Sequence, residues 1–210
     1  KCIFIRILYQ MVSIKTKDLF NWNRFDLSAK YLYAKFKRKN IQSNFGLDIY
    51  KEHLKVWNGF KEFDNPNKNT FEHYKLDFDN INMSGFDSNK SKIDIDGDGF
   101  LLNGSHRTAA CIINNSEGDF KTDGVGQKVC DFNMFRQLGL SEFYMDAMAY
   151  ELAKFNNNMF VVSIFPRANG HEVDVENLLN QYGNIAYKKY VTLNPNGALN
   201  LMREMYDGEE

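Results

Sequence analysis

The chain has 210 residues, 43% of them apolar and 15% aromatic, with only three prolines, enough for one sizeable core and too apolar for a disordered chain. Its 26 basic and 27 acidic residues leave a net charge of −1, so no global field recruits nucleic acid or an anionic membrane, and any polyanion site must be local. No apolar stretch reaches the roughly 20 residues of a membrane span, and the apolar start, residues 1–8, is too brief for a signal peptide and lacks a small-residue cleavage site.

A soluble, cytoplasmic protein is therefore expected. Met11 is a candidate natural start, and a chain that begins without Met fits a fragment of a longer protein. Cys2, Cys111 and Cys130 have no paired spacing and His53, His73, His106 and His171 are scattered, which points to reduced thiols and argues against a zinc site.

Apolar residues at helical intervals, Phe25, Leu32, Tyr33 and Phe36, predict a first helix; Phe45, Ile49, Leu54, Trp57 and Phe60 predict a second. Residues 64–69 form a loop, after which Thr70 caps a third helix carrying Phe71, Tyr74, Phe78 and Ile81 and ending at Gly85. The pattern then becomes extended. Residues 92–95 and 100–102 read as two short strands joined by the Asp96-Gly97-Asp98-Gly99 turn.

A helix starting near Ser105 follows, then a polar loop over 115–127 that is a candidate lid, and a strand over 128–132. A helix over 141–155, a strand over 159–165, a helix over 173–182 stopped by Gly183, a strand over 185–193 and a helix over 198–206 complete the reading. Residues 94–99 imitate the start of a calcium loop, but position 12 is Ser105 rather than a bidentate Glu and the preceding residues are extended, so an acidic hairpin turn is the better reading. Its acids are candidates for holding magnesium through water beside a phosphate.

Asn103-Gly104-Ser105-His106-Arg107-Thr108 is the segment with the clearest chemistry. Gly104 permits a backbone closed to other residues, and the free amides and dipole of the helix start converge with the Ser105 hydroxyl and the Arg107 guanidinium on a volume suited to an anion. His106 sits in its middle. The plain alternative is an Asn-Gly turn whose Ser is only an N-cap. Glu52, at the boundary of the second helix's apolar face, is either a solvated surface carboxylate or a general base whose pKa rises at a pocket. His73 and His171 read as surface residues, Arg167 as a surface or strand-end binding residue. Lys35 to Lys39, the only basic run, complements a helix dipole better than it serves nucleic acid.

Leu102-Asn103-Gly104-Ser105-His106-Arg107-Thr108-Ala109-Ala110 resembles the signature of the ParB/sulfiredoxin fold, in which Asp-Gly-x-His-Arg precedes an Ala-rich helix. Within that superfamily the free serine kinases are nearest: Val161-Val162-Ser163-Ile164-Phe165-Pro166, residues 173–179 and Gly183-Asn184-Ile185 are similar to their strand, aromatic-Pro pair, helix and next strand. The resemblance covers roughly residues 45–193, and it implies that the loop holds nucleotide phosphates. Asn103 stands where the family has Asp, which puts a carboxylate role there in doubt, and Ser105 stands where sulfiredoxin has its Cys, which argues against sulfinic acid reduction. Glu52 in Lys51-Glu52-His53 corresponds to the catalytic Glu of the kinases.

The expected fold is α+β, a ParB/sulfiredoxin-like small mixed sheet with surrounding helices, divided into an N-terminal helical extension (1–44), a nucleotide-binding core (45–135) and a C-terminal βαβα segment (136–210). The expected function is a magnesium- and nucleotide-dependent phosphotransferase for a small hydroxyl compound such as an amino acid or sugar derivative. ATP or ADP, or else CTP, would sit on Asn103 to Thr108, with Glu52 and His106 catalytic. The rivals are a ParB-like nucleotide-gated, DNA-associated module and a non-catalytic domain of a surface-polysaccharide enzyme. The latter rests on Trp57-Asn58-Gly59-Phe60 and Tyr206-Asp207-Gly208-Glu209, which resemble segments of uncharacterised proteins from such clusters and from large viruses.

Overall fold

A computed structural model describes residues 14–190 apart from 63, 64, 88, 90, 125, 127, 157, 161, 163 and 165–169. Helix α1 (Asp26–Arg38) is the axis of its core, because Leu27, Ala29, Leu32, Tyr33 and Ala34 are buried on faces that meet three other helices. Lys35, Lys37 and Arg38 close its last turn, where positive charge complements the helix dipole. Helix α2 (Phe45–Asn58) lies against it, burying Ile49, Tyr50, His53 and Leu54. The contact is close because position 46 is glycine: a Cβ there would lie 2.9 Å from the Phe36 ring and 3.2 Å from Leu32 O. Tyr33 and Tyr50 stack across the interface, ring centroids 4.9 Å apart.

Thr70 caps helix α3 (Phe71–Ser84), its Oγ1 accepting from His73 N at 3.3 Å. Phe71, Tyr74 and Phe78 are the buried face and Gly85 follows the last turn, as the spacing predicts. Strands β1 (Ile93–Asp96) and β2 (Leu101–Asn103) form the expected antiparallel hairpin. Its turn is built by Asp96, whose Oδ1 accepts from Asp98 N at 3.0 Å and Phe100 N at 2.8 Å, so this carboxylate shapes the backbone. Helix α4 (Ser105–Ile113) buries Thr108 to Ile112 against α1 and α3.

The segment expected to be a loop or lid contains a third strand, β3 (Phe120–Gly124), parallel to β1, giving the sheet order β2-β1-β3. Phe120 is its only large apolar residue, and a short edge strand of this composition lacks the alternation that marks a half-buried strand. The strand expected over 128–132 is absent. Cys130 makes one bridge, its N–H donating to Asn23 O at 2.7 Å, and Asp131 then caps helix α5 (Phe132–Gln137) by accepting from Met134 N at 2.9 Å. An N-cap at 131 ends extended backbone there. Helix α6 (Glu142–Phe155) returns Met145, Met148 and Leu152 to the core, and Phe155 meets Phe20 at 5.0 Å.

Contacts divide the chain into two compact units, Lys1–Phe165 and Pro166–Glu210. The first unit holds both α1 and the hairpin, and within it α1 packs against α2, α4 and α6. Met159, Phe160, Val162 and Ile164 carry no strand, and the rest of the strand expected over 159–165 lies outside the described residues. In the second unit, helix α7 (Glu172–Leu179) forms where a helix was expected, and Lys188 Nζ donates to Glu176 at 2.6 Å. Residues 185–190 form no strand, whereas 191–193, the helix expected over 198–206, Arg167 and Cys2 lie outside the described residues. The described chain is thus a mixed α+β protein with seven α-helices and a three-stranded mixed sheet.

Candidate functional site

The segment singled out in the sequence is the junction between β2 and α4. Gly104 is the N-cap of α4 with φ +96°, a left-handed conformation that side chains with a Cβ resist. A Cβ at this position would also lie 3.1 Å from Arg107 Nε, so the guanidinium that folds back on the turn would have to shift by a few tenths of an ångström to admit one. Arg107 donates to Lys92 O, which holds that guanidinium against the start of the hairpin. Asn103 accepts from Gly104 N at 2.7 Å through its own Oδ1. No side chain caps α4, so the amides of its first turn, from Ser105 onward, face outward unclaimed by a cap.

These residues border a cleft of about 730 Å³, within the size range of small-molecule sites. Asn103, Gly104, Ser105, His106 and Arg107 form one wall; Trp57, Tyr74 and Phe78 contribute aromatic surface. Arg24, Lys30, Lys61, Lys68, Arg107 and Lys128 line it against only Asp26, Glu62 and Asp77. The cleft is cationic, unlike the chain as a whole. Lys68 joins both exposed acids, at 3.3 Å from Glu62 and 3.0 Å from Asp77, and lies 4.5 Å from the Tyr74 ring centroid.

His106 is enclosed by rings on one side and borders the cleft on the other. Phe78 and Tyr50 meet it edge-on at centroid distances of 4.9 and 5.7 Å, and its Nε2 is 2.9 Å from the Tyr50 hydroxyl. Burial, reinforced by the charges of Lys30 and Lys68, pushes the imidazole well below its ordinary pKa, so it is neutral at pH 7. Burial likewise pushes the Tyr50 phenol well up and keeps its proton, for which Tyr74 O at 3.3 Å is a second acceptor.

Beneath this wall lies a buried cluster of charges. Arg24 makes a two-pronged pair with Asp26, Nε to Oδ1 at 2.8 Å and NH2 to Oδ2 at 3.0 Å, and its NH1 donates to Leu101 O at 2.6 Å. Lys30 donates to the same Asp26 Oδ2 at 2.8 Å. Burial alone would raise the Asp26 carboxyl, but the two cations hold it well below the carboxylate range. His53 is fully buried nearby, with no hydrogen-bond partner for either ring nitrogen among the described residues, and burial together with the Lys30 charge keeps it neutral.

The structure therefore brings five of the predicted site residues together and separates two. Thr108 is fully buried and its Oγ1 donates back to Gly104 O at 3.1 Å, a helix-internal bond that turns it from the cleft. Glu52 is not among the cleft residues; it pairs with Lys55 at 3.3 Å on the outer part of α2, and its neighbour His53 takes the inward position. Within the basic run, Lys35 pairs with Glu151 at 2.6 Å, Lys37 with Asp79 at 2.6 Å, and Arg38 donates to Asn114. His73 and His171 are exposed.

Sequence reasoning missed Arg24, Asp26 and Lys30. The available signal was spacing: Asp26, Lys30 and Tyr33 follow one another at intervals of four and three, one helix face, so two charges share the stripe of a core tyrosine. No helix among the described residues is long and apolar enough to cross a membrane. Comparison with family models, with curated proteins and with solved structures finds no match to this chain.

Proposed function

We propose that the chain binds a phosphorylated nucleotide in the cationic cleft and transfers its terminal phosphoryl group to a small hydroxyl compound. The observation that carries this reading is the uncapped start of α4, bent at Gly104 and flanked by Arg107, opening on a cleft with twice as many basic as acidic side chains. Phosphoryl transfer asks chiefly for positioning and charge neutralisation, and this wall supplies both. The resemblance of residues 102–110 to the ParB/sulfiredoxin signature and the small mixed sheet beside the loop support a fold of that type.

In the reaction the acceptor oxygen attacks the terminal phosphorus, the bond to the bridging oxygen breaks, the nucleotide leaves one phosphate shorter (a diphosphate from ATP or CTP, a monophosphate from ADP), and the acceptor proton passes to a base. His106 is the nearer candidate for that role, because it borders the cleft and Glu52 does not. Magnesium, held mostly by phosphate oxygens and water, needs one or two carboxylates; Glu62 and Asp77 at the cleft rim would supply them once released from the Lys68 that they share. The energy donor is ATP, ADP or CTP.

The place of Glu52 outside the cleft favours a second reading, in which the nucleotide is bound and released without transfer, as in a nucleotide-gated module. Thermal stabilisation by ATP, ADP and CTP with magnesium separates the possibilities. We expect a raised melting temperature that Arg107→Ala abolishes, and product formation that His106→Gln abolishes while sparing nucleotide binding. Arg107→Ala binding nucleotide like the parent would sink the site; binding by the parent without turnover on any hydroxyl acceptor would select the second reading.

A further inference from the structure

The Arg24, Asp26 and Lys30 cluster is unbalanced. Two cations share one carboxylate, and both cationic side chains are only 4% exposed. Charge buried in this way is costly unless it is paired. Among the described residues, Asp26 is the only carboxylate in contact with either cation. The other acids of the cleft, Glu62 and Asp77, are both held by Lys68.

The unmatched charge lies on the cleft, since Arg24 and Lys30 are both part of its lining. It is also tied to the phosphate loop. Arg24 NH1 donates to Leu101 O, in the strand that leads into Asn103 and Gly104, so the cluster sits under the loop and not at a remote wall. Among the described residues, Lys30 Nζ has Asp26 on one side at 2.8 Å and only a long contact to Asp26 O at 3.5 Å besides, which leaves donor capacity on an ammonium that carries three hydrogens.

Resting on the nucleotide reading above, we infer that Lys30, with Arg24 behind it, is a second anion-binding point that takes a phosphate group separate from the one at the α4 start, so that the cleft selects a di- or triphosphate over a monophosphate. The ligand completes the charge balance that the chain leaves open. In the free protein the cluster carries a net positive charge; with a bound diphosphate each cation has an anionic partner.

Titration calorimetry with AMP, ADP and inorganic pyrophosphate on the parent, Lys30→Met, Lys30→Arg and Arg107→Ala tests this. Lys30→Met should weaken ADP and pyrophosphate by roughly 10- to 100-fold, the loss of a hydrogen bond to a charged group, and leave AMP unchanged. Lys30→Arg should retain the preference for ADP over AMP. A second readout guards against a folding artefact: Lys30→Met removes the surplus buried charge at similar volume, so the ligand-free protein should melt at the parent temperature or above it. Lys30→Met that binds ADP like the parent, while Arg107→Ala does not, would overturn this inference and leave the nucleotide site standing. No binding of any of the three probes by the parent would overturn both.

Discussion

Two clusters in this molecule have the same composition of charge and opposite surroundings. Asp26 is shared by Arg24 and Lys30, and Asp79 is shared by Lys37 at 2.6 Å and Lys75 at 2.9 Å. At Asp79 the lysines are 39% and 40% exposed, so water absorbs the extra charge, and the Tyr33 hydroxyl donates to the carboxylate at 2.6 Å, linking α1 to α3. At Asp26 the cations are enclosed, and both line the cleft. One arrangement is a surface clasp between helices. The other holds enclosed positive charge at the cleft wall, and burial of the cations is the main difference between them.

The largest effect should come from removing each carboxylate in turn. Asp26→Asn leaves two buried cations facing each other and should destabilise the fold by about 3–5 kcal/mol, whereas Asp79→Asn should lose about 1–2 kcal/mol, because its amide oxygen still accepts from the Tyr33 phenol, though less strongly than a carboxylate, and half-exposed ion pairs contribute little. Denaturant unfolding of both variants measures this, and equal losses would erase the distinction.

Acid sharpens it next. His53 and His106 are held neutral by burial and by the Lys30 charge, with pKa values well below the ordinary value in the folded chain. As pH falls through about 6.5 the unfolded chain takes up protons that the folded chain refuses, so stability drops on acidification, by up to about 1.4 kcal/mol per pH unit for each histidine. The drop continues until the folded-state value is reached. His53→Phe should flatten the stability profile between pH 6.5 and 5, and an unchanged slope would mean that His53 is not the neutral, enclosed group described above.

The smallest effect separates the loop from its floor. Gly104→Ala forces a side chain into a left-handed backbone at a cost of about 1–2 kcal/mol and pushes the Arg107 guanidinium off its place on the turn. Nucleotide-dependent stabilisation should fall with it, while the ligand-free melting temperature should drop far less than in Asp26→Asn. Undiminished stabilisation by nucleotide would show that Arg107 need not rest on Gly104.

Helices α1 to α4 and the hairpin were legible because their apolar residues keep one period over two turns or more, and because Thr70, Gly85 and Gly104 punctuate them. The loop was legible for a related reason: only glycine serves at its bend. Strand β3 was not, since its pairing to β1 is decided by the sheet and not by its own residues. Asp131 hid α5, because a capping acid after an apolar pair reads equally well as a strand end. At Lys51-Glu52-His53 the periodicity left both residues on the face boundary, and packing chose His53 for the interior beside the Phe135 ring at 5.0 Å. The charge cluster was hidden by a general expectation, that Asp and Lys four apart on a helix are a solvated pair.

Arg24 and Leu101 are 77 residues apart along the chain and joined by one hydrogen bond. The signature loop is therefore contiguous in sequence, but its electrostatic environment is not. A segment cut to begin at residue 45 would contain Gly104, His106 and Arg107 and none of the charge beneath them, so the segment that carries the signature and the cleft wall it belongs to are different lengths of polypeptide.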